Sequence, residues 1–431
     1  MTQQDETAAS QDIRAGNPKR WKTPHSKEAP AASFSSTYPR VILLPRRAKP
    51  FYGRHPWVYA GAIAAVDGTP ADGDVVDLVS HEGQFIARGL FNSRSKIHVR
   101  LYSWSPEQTL DAEFFRAGIQ SAVQLRQAVL GWSKPGAACR LVFSEGDGLS
   151  GLTVDQYDHW LVVQFTSLGL ARRRDEFARL LAEHLQPEGI YLRTERGIGE
   201  LEGLELQDGL LWGRAAAAPV VITEGDIRFL VNLAEGQKTG FYLDQRENRG
   251  AVARLAAGRR MLDAFCYTGG FGLHAARAGA TSVLGVDISE PALTLAVENA
   301  RLNALATVSF ERGDVFARMQ GLQESGAQFD LIVLDPPKFA RARNAIEEAL
   351  RGYRRRQTLA LRLLAKGGIL VTCCCSGLIT MAMLDDLLAQ LASEERRDIQ
   401  VLERRGQSAD HPAMATCPES NYLKCLISRA G

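Results

Sequence analysis

Two runs in this chain put reactive or polar side chains directly after apolar, strand-like stretches: CCCSGL at 373–378 and FDLIVLDPPKF at 329–339. In the second, Pro336 and Pro337 remove backbone donors and stiffen the turn, which fixes the Asp335 carboxylate and leaves the Pro336 carbonyl as an acceptor. Such a turn can hold the amino edge of a base, with Pro336, Lys338 and Phe339 on the substrate side. In the first, Cys375 belongs to a turn continued by Ser376 and Gly377 and is expected just before a helix. A helix N-terminus favours thiolate over thiol, and thiolate is the form that attacks carbon. Cys375 is therefore the candidate nucleophile, with inert packing the competing reading. Cys373 and Cys374 fall in or at the end of a buried strand, where cysteine behaves as a small apolar residue.

A cofactor site is indicated by MLDAFCYTGGFGLHAARAG at 261–279, where a strand ends at Asp263 and Ala264 and glycines 269, 270 and 272 open a helix. Glycines let backbone approach a ligand, and the carboxyl ends of strands are where open α/β sheets bind cofactors. Asp287, 24 residues after Asp263 and at the end of SVLGVD, is placed to accept hydrogen bonds from both ribose hydroxyls of a nucleoside. Asp314, after the next strand, is placed for an adenine amino group. Gly269, Tyr267 in the turn, and Arg246 upstream complete the expected cofactor set. A nicotinamide dehydrogenase would share much of this pattern, but GxGxxG is absent and Asp263 would repel a pyrophosphate. An acid in the first turn suits S-adenosylmethionine, which carries an ammonium and a sulfonium.

Other polar clusters have two readings each. GQKTGFYLDQRENR at 236–249 either closes over the cofactor or is an ordinary helix start with Asp244 capping. RGYRRRQ at 351–357 either steers phosphate or is a solvated helix face, and for Arg172, Arg173 and Arg174 the solvated reading leads. Cys139, Cys266, Cys417 and Cys425 form no CxxC pair and have no histidine at ligand spacing, so no metal is expected.

The elements that must position these residues are legible in the rhythm of the chain. From about Glu235, MLDAF, SVLGVD, VSFERGD, FDLIVLD and GILVTCC are strand-like runs separated by helical segments, the pattern of a doubly wound α/β sheet. Before it, GLTVDQY, WLVVQF and GIYLRT alternate with the amphipathic EFARLLAEHL, and the region ends in another pair of strands. Earlier still, VILLP, DVVDLVS, QFIARGLF and IHVRLYSW form a β-rich region with Gly, Asp and Asn turns. The expected division is a disordered tail over 1–36, a β-rich domain over 37–115, an α+β middle domain with its linker over 116–232, and the α/β domain over 233–431. Lys19, Arg20, Lys22 and Lys27 in the tail can touch RNA phosphates, although a solvated tail needs no partner.

Bulk properties narrow the class. The 431 residues exceed one ordinary core, and 45% hydrophobic with 23% charged residues is globular. A net charge of +2 permits a nucleic-acid partner only through a local surface. Seven unevenly spaced cysteines do not write a disulfide framework and point to a reducing cytoplasm. The 18 uncharged residues between Lys366 and Asp385 contain glycine breaks and read as strand, turn and helix start, so no membrane span is expected. MTQQDETAAS carries acids and no apolar segment, unlike a targeting peptide.

Several motifs in order resemble the bacterial large-subunit (23S) ribosomal RNA cytosine-5 methyltransferases that carry an N-terminal PUA domain. GRHPWVYAGAI and GLFNSRSKIHVR resemble the PUA segment, and SEGDGLSGLTVDQY the middle β-α-β domain. GQKTGFYLDQRENR, DAFCYTGGFG, DPPKF and CSGL complete the likeness. It implies a class I, Rossmann-like methyltransferase domain with a mostly parallel seven-stranded sheet, its antiparallel edge supplied by AMATCPESNYLKCLISR. It also implies roles for Asp263, Gly269, Asp287, Asp314 and Asp335 around cofactor and base, Cys375 as nucleophile, and ribosomal RNA as partner of the PUA domain. A second cysteine beside the proline of the fourth-strand motif, present in many RNA cytosine-5 enzymes, is absent here, which leaves the product-releasing group open. A homodimer is also left open. Alternatives are methylation of a guanine or an exocyclic amine, a non-catalytic RNA-binding assembly factor, and, more distantly, a nicotinamide oxidoreductase.

Overall fold

The computed structural model describes residues 37–132, 134, 136–194, 197–216, 219–233, 240–338 and 345–431. The tail over 1–36, Phe339 and residues 236–239 of the GQKTGFYLDQRENR stretch lie outside the described residues.

The β-rich region forms one six-stranded sheet, in the order Trp57–Tyr59, Ile97–Ser103, Phe85–Phe91, Val75–Val79, Arg40–Leu43, Ile63–Asp67. Val41, Leu43, Val58, Val76, Leu78, Val99 and Leu101 are its buried face. At about 1.5–3 kcal/mol for each fully buried aliphatic side chain, this row is what holds so small a sheet. In the middle region, Asp111 accepts the Phe114 N–H (3.0 Å) and so starts the helix Ala112–Gln124. Its Phe115, Ile119, Ala122 and Val123 recur at helical spacing and pack on a five-stranded sheet running from Ala138 to Gly213.

The hairpin Val220–Glu224 and Ile227–Val231 turns at Gly225, whose φ of +57° favours glycine. The sequence groups this pair of strands with the middle region. The structure bonds it to both neighbours: the Thr223 N–H donates to the Gly136 carbonyl of the middle region (2.8 Å), and on the other side helix α3 (Glu290–Leu302) supplies Asn299, whose Oδ1 accepts the Leu230 N–H (2.8 Å). Asn303, which follows α3, exchanges hydrogen bonds with both the N–H (2.9 Å) and carbonyl (2.7 Å) of Arg228.

The α/β domain has seven strands: β1 (Arg260–Ala264), β2 (Ser282–Asp287), β3 (Val308–Arg312), β4 (Phe329–Leu334), β5 (Leu364–Cys374), β6 (Ile399–Arg405) and β7 (Lys424–Ala430). Its helices, in chain order, are α1 (Arg246–Ala253), α2 (Gly270–Arg277), α3, α4 (Val315–Glu324), α5 (Ile346–Leu363) and α6 (Met381–Glu394). The sheet order is β3-β2-β1-β4-β5-β7-β6, parallel except for β7. The central runs are buried on both faces by helices, which is why they read as continuous apolar stretches. The last strand is antiparallel as the resemblance implies, but it is not an edge: β7 pairs with β5 on one side and β6 on the other. Edge exposure falls to β6, whose side chains alternate between half-buried and exposed. No described helix is long and apolar enough to cross a membrane.

Candidate active site

The carboxyl ends of β1, β2, β4 and β5 converge, and the segment before α1 packs across them. From β1 the chain enters a turn in which Phe265 (φ +66°), Tyr267 (+48°) and Gly269 (+85°) all take left-handed backbone. The two aromatic residues pay a steric penalty there. It is offset in part by the N–H groups of Phe265 (2.9 Å) and Cys266 (3.1 Å), which both donate to the Val286 carbonyl of β2. Tyr267 then donates its N–H to Asp287 Oδ2 (3.0 Å) and its hydroxyl to the Gly240 carbonyl (3.2 Å).

Asp263 is only 1% exposed. Its Oδ2 accepts the Gly272 N–H at 2.8 Å, and its Oδ1 has no partner among the described residues. Burial, reinforced by the charges of Asp335 and Asp287 and opposed by the Gly272 N–H, pushes its carboxyl up to about 7. A buried carboxylate with an unsatisfied oxygen is a slot for a cation. Asp287 is fixed from two sides, by Tyr267 and by the Ser289 N–H on Oδ1 (2.9 Å), and each oxygen keeps a second lone pair. Asp314 caps α4, accepting the Ala317 N–H at 2.8 Å.

Asp335 leaves β4 with its N–H on the Ala264 carbonyl (3.3 Å) and its Oδ2 accepting from Gln245 Nε2 (3.1 Å). Gln245 is itself held by Asn248 (2.6 Å). Pro336 is buried, whereas Pro337 and Lys338 are exposed. Tyr242 meets Tyr267 edge-on, with centroids 5.2 Å apart. Its phenol is pushed up by burial and by the charges of Asp335, Asp244, Cys375 and Asp287, which places this ring among the four. Neither Tyr242 nor Gln245 is singled out by sequence reasoning. The available signal is their membership in a stretch that mixes aromatic and polar residues just before the first strand.

Cys373 and Cys374 end β5 fully buried, as expected, and Cys375 is half-buried, the other six cysteines being buried. One expectation fails. Cys375 does not stand at a helix N-terminus: α6 begins at Met381 and is capped by Thr380, whose hydroxyl accepts the Met383 N–H (3.2 Å). Ser376–Ile379 intervene as a turn, so the dipole of α6 is not aimed at the thiol from the adjacent residue.

Arg246 is brought to a different place from the acids. It donates to the Ala138 carbonyl, lies 4.7 Å over the Trp132 ring and 3.6 Å from Glu224, on the seam with the middle region. The run RGYRRRQ lies within α5, where Arg354 pairs with Glu394 (2.6 Å) and Arg355 covers Phe316 (4.7 Å). Arg173 pairs with Glu176 (2.8 Å) and covers Phe115, and Arg172 donates to the Asp72 carbonyl. His55, Cys417 and Glu419 form the one group with metal-ligand chemistry among the described residues. However, His55 Nδ1 accepts the Trp57 N–H (3.3 Å), which assigns the ring proton to Nε2, facing Glu419 at 3.4 Å. This is a hydrogen-bond chain rather than a ligand set.

The pattern of the S-adenosylmethionine-dependent methyltransferase family matches residues 212–429, and that of the PUA-like domain matches residues 41–104. The ribosomal RNA large subunit methyltransferase I of Aeromonas hydrophila subsp. hydrophila is 41% identical over 395 residues, covering 90% of this chain and 99% of that protein. The chain belongs to this methyltransferase family. The same enzyme of Shewanella denitrificans is 40% identical over 394 residues, again covering 90% of this chain and 99% of the relative. The crystal structure of SMU.776 complexed with SAH shares the fold, with a TM-score of 0.79 at 22% identity over 90% of this chain and 99% of that one. The family's cofactor is S-adenosylmethionine, and the site fits it: the unsatisfied oxygen of buried Asp263 suits an ammonium, and the fixed carboxylate of Asp287 suits a ribose.

Proposed function

We propose that this S-adenosylmethionine-dependent methyltransferase acts on large-subunit ribosomal RNA and methylates carbon 5 of a cytosine through a bond between Cys375 and carbon 6. Family membership supports the coarser part of this reading. The finer part rests on one observation: the only cysteine of the seven that is not buried follows β5, beside the Asp335 turn that follows β4.

In this reading Asp263 and Asp287 hold the cofactor's amino acid and ribose ends, with Asp314 and Gly269 flanking it. When bound, S-adenosylmethionine supplies an electrophilic methyl group. Carbon 5 of cytosine is a poor nucleophile until carbon 6 is saturated. Cys375 as thiolate forms the S–C6 bond, and the C5=C6 electron pair moves to carbon 5, which takes the methyl. Asp335, oriented by Gln245, accepts a hydrogen bond from the 4-amino group and, as the carboxylic acid, donates one to N3, where the electron density pushed onto the ring collects. Loss of the carbon-5 proton to a base then restores the double bond and expels the thiolate. Pro336 and Lys338 flank the base in this arrangement. The target must leave its stack, at a cost of a few kcal/mol that is smallest in a loop or unfolded RNA. The PUA-like domain supplies the RNA grip.

The test is nucleoside analysis of ribosomal RNA after incubation with labelled S-adenosylmethionine. The expected product is 5-methylcytidine, with turnover lost in Cys375→Ala and a denaturation-stable protein–RNA adduct on 5-fluorocytidine-substituted RNA. Methylguanosine, N-methylated cytidine or wild-type turnover in Cys375→Ala would each sink the assignment.

A further inference from the structure

The thiol of Cys375 lacks the helix terminus that its sequence context promised, so another source of positive charge is needed if it is to react as thiolate. Lys424, the first residue of β7, pairs in register with Cys374 and is only 8% exposed. Its Nζ donates to the Ser376 carbonyl at 2.8 Å and to the Tyr422 carbonyl at 3.0 Å. The cation is thus opposite the residue before Cys375 and bonded to the residue after it. Two of its three N–H groups are committed to backbone, which fixes the charge in place.

We infer that Lys424 is a positioning residue for Cys375, whose anchored ammonium holds the sulfur as thiolate and pins the turn that presents it. The inference rests on the reading of Cys375 as nucleophile. The groups that face the thiol make a cation necessary. Tyr242 from the segment before α1, Tyr353 from α5 and Tyr422 from the approach to β7 are phenols kept neutral by burial. Asp335, which acts on both Tyr242 and Tyr353, opposes a second negative charge nearby. Among the described residues, the nearby cations set against these are Lys424 and Lys338, which acts on Lys424. Lys338 is exposed and therefore screened, whereas Lys424 is not. Burial lowers the affinity of Lys424 for its proton, and the sulfurs of Cys374 and Cys375 raise it, so cation and thiolate stabilise each other. Ionisation breaks the S–H bond and releases the proton to solvent, and the sulfur keeps the electron pair.

The test is the pH dependence of iodoacetamide alkylation at Cys375, read by mass spectrometry of the peptide that contains it, with Cys375→Ser as the blank. In the wild-type protein the midpoint should fall below the ordinary thiol value of about 8.5. In Lys424→Met it should rise by about one unit or more, a tenfold loss of thiolate at fixed pH, and Lys424→Arg should restore most of it. A purely structural lysine would leave the midpoint of a folded Lys424→Met protein unmoved, which would overturn the inference. A wild-type midpoint at or above about 8.5 would do so without any variant, even if Lys424→Met failed to fold. Alkylation needs neither RNA nor cofactor. A methylation product other than 5-methylcytidine would therefore defeat the function without touching this result.

Discussion

Asp263 illustrates how one carboxylate can link cofactor binding to stability. Its folded-state value of about 7 exceeds the ordinary carboxylate value of about 3.9 because burial and two neighbouring acids disfavour the charge. Between these values the folded protein binds the extra proton, so ligand-free stability is greatest below about pH 4 from this group and falls as pH rises to about 7. In the role proposed for Asp263, cofactor affinity should run the other way, since an ammonium needs the carboxylate. Calorimetric titration should show affinity rising by up to tenfold per unit as pH approaches about 7 and levelling above it. Asp263→Asn should bind the cofactor at least about tenfold more weakly, while its ligand-free melting temperature loses the decline between about pH 4 and 7. A pH-independent affinity in the wild type would contradict the assignment. The placement of Asp263, Asp287 and Asp335 at the carboxyl ends of strands was legible because each closes an apolar run. Gln245, Tyr242 and Lys424 were not. Gln245 reaches Asp335 across 90 residues and Lys424 reaches Ser376 across 48, and neither distance leaves a local trace.

The turn between β1 and α2 shows the same division at the level of an element. The glycines announce a tight turn, and Gly269 does adopt φ +85°. That Phe265 and Tyr267 are also left-handed has no sequence signature, because aromatic residues are not chosen for that region. Their conformation is imposed by the Val286 carbonyl and the Asp287 carboxylate, which belong to the next strand. A side chain at Gly269 would carry a Cβ 3.0 Å from the Phe310 ring and 3.3 Å from Leu273, on top of the backbone strain. Gly269→Ala should therefore cost about 1–2 kcal/mol in urea unfolding and weaken cofactor binding, by displacing the turn that orients Asp287. Unchanged affinity would show that the turn tolerates the shift. The α6 boundary was misread for a related reason. The run after Cys375 looks helical by composition, but the Thr380 hydroxyl caps the helix five residues later.

Across the whole molecule, the α/β and β-rich units were readable from strand rhythm, whereas the seams between them were not, because they are built from buried charges far apart in the chain. Arg126 is fully buried and commits its guanidinium to Asp147 (2.6 and 2.9 Å), to the carbonyls of Arg140 (2.8 Å) and Ala122 (3.2 Å), and to the Asp410 carbonyl (2.6 Å) 284 residues away. Asp410 in turn accepts the Arg140 N–H at 3.0 Å. Burial would raise its carboxyl, but His411 and Arg246 hold it well below the usual range. That depressed value contributes stability above about pH 4 which is lost as pH falls further, so the seam should be the acid-sensitive part of the fold. The staple fixes the middle region against the methyltransferase sheet. Arg126→Met removes the cation and leaves Asp147 and three carbonyls short of a donor, a change worth about 3–5 kcal/mol. In urea unfolding, the wild type should show one transition, whereas in Arg126→Met the middle and α/β units should separate into two. The pH 4 to 7 dependence set by Asp263 should persist in the later transition. A single unshifted transition in Arg126→Met would mean that apolar contact, not this buried ion pair, fixes the seam.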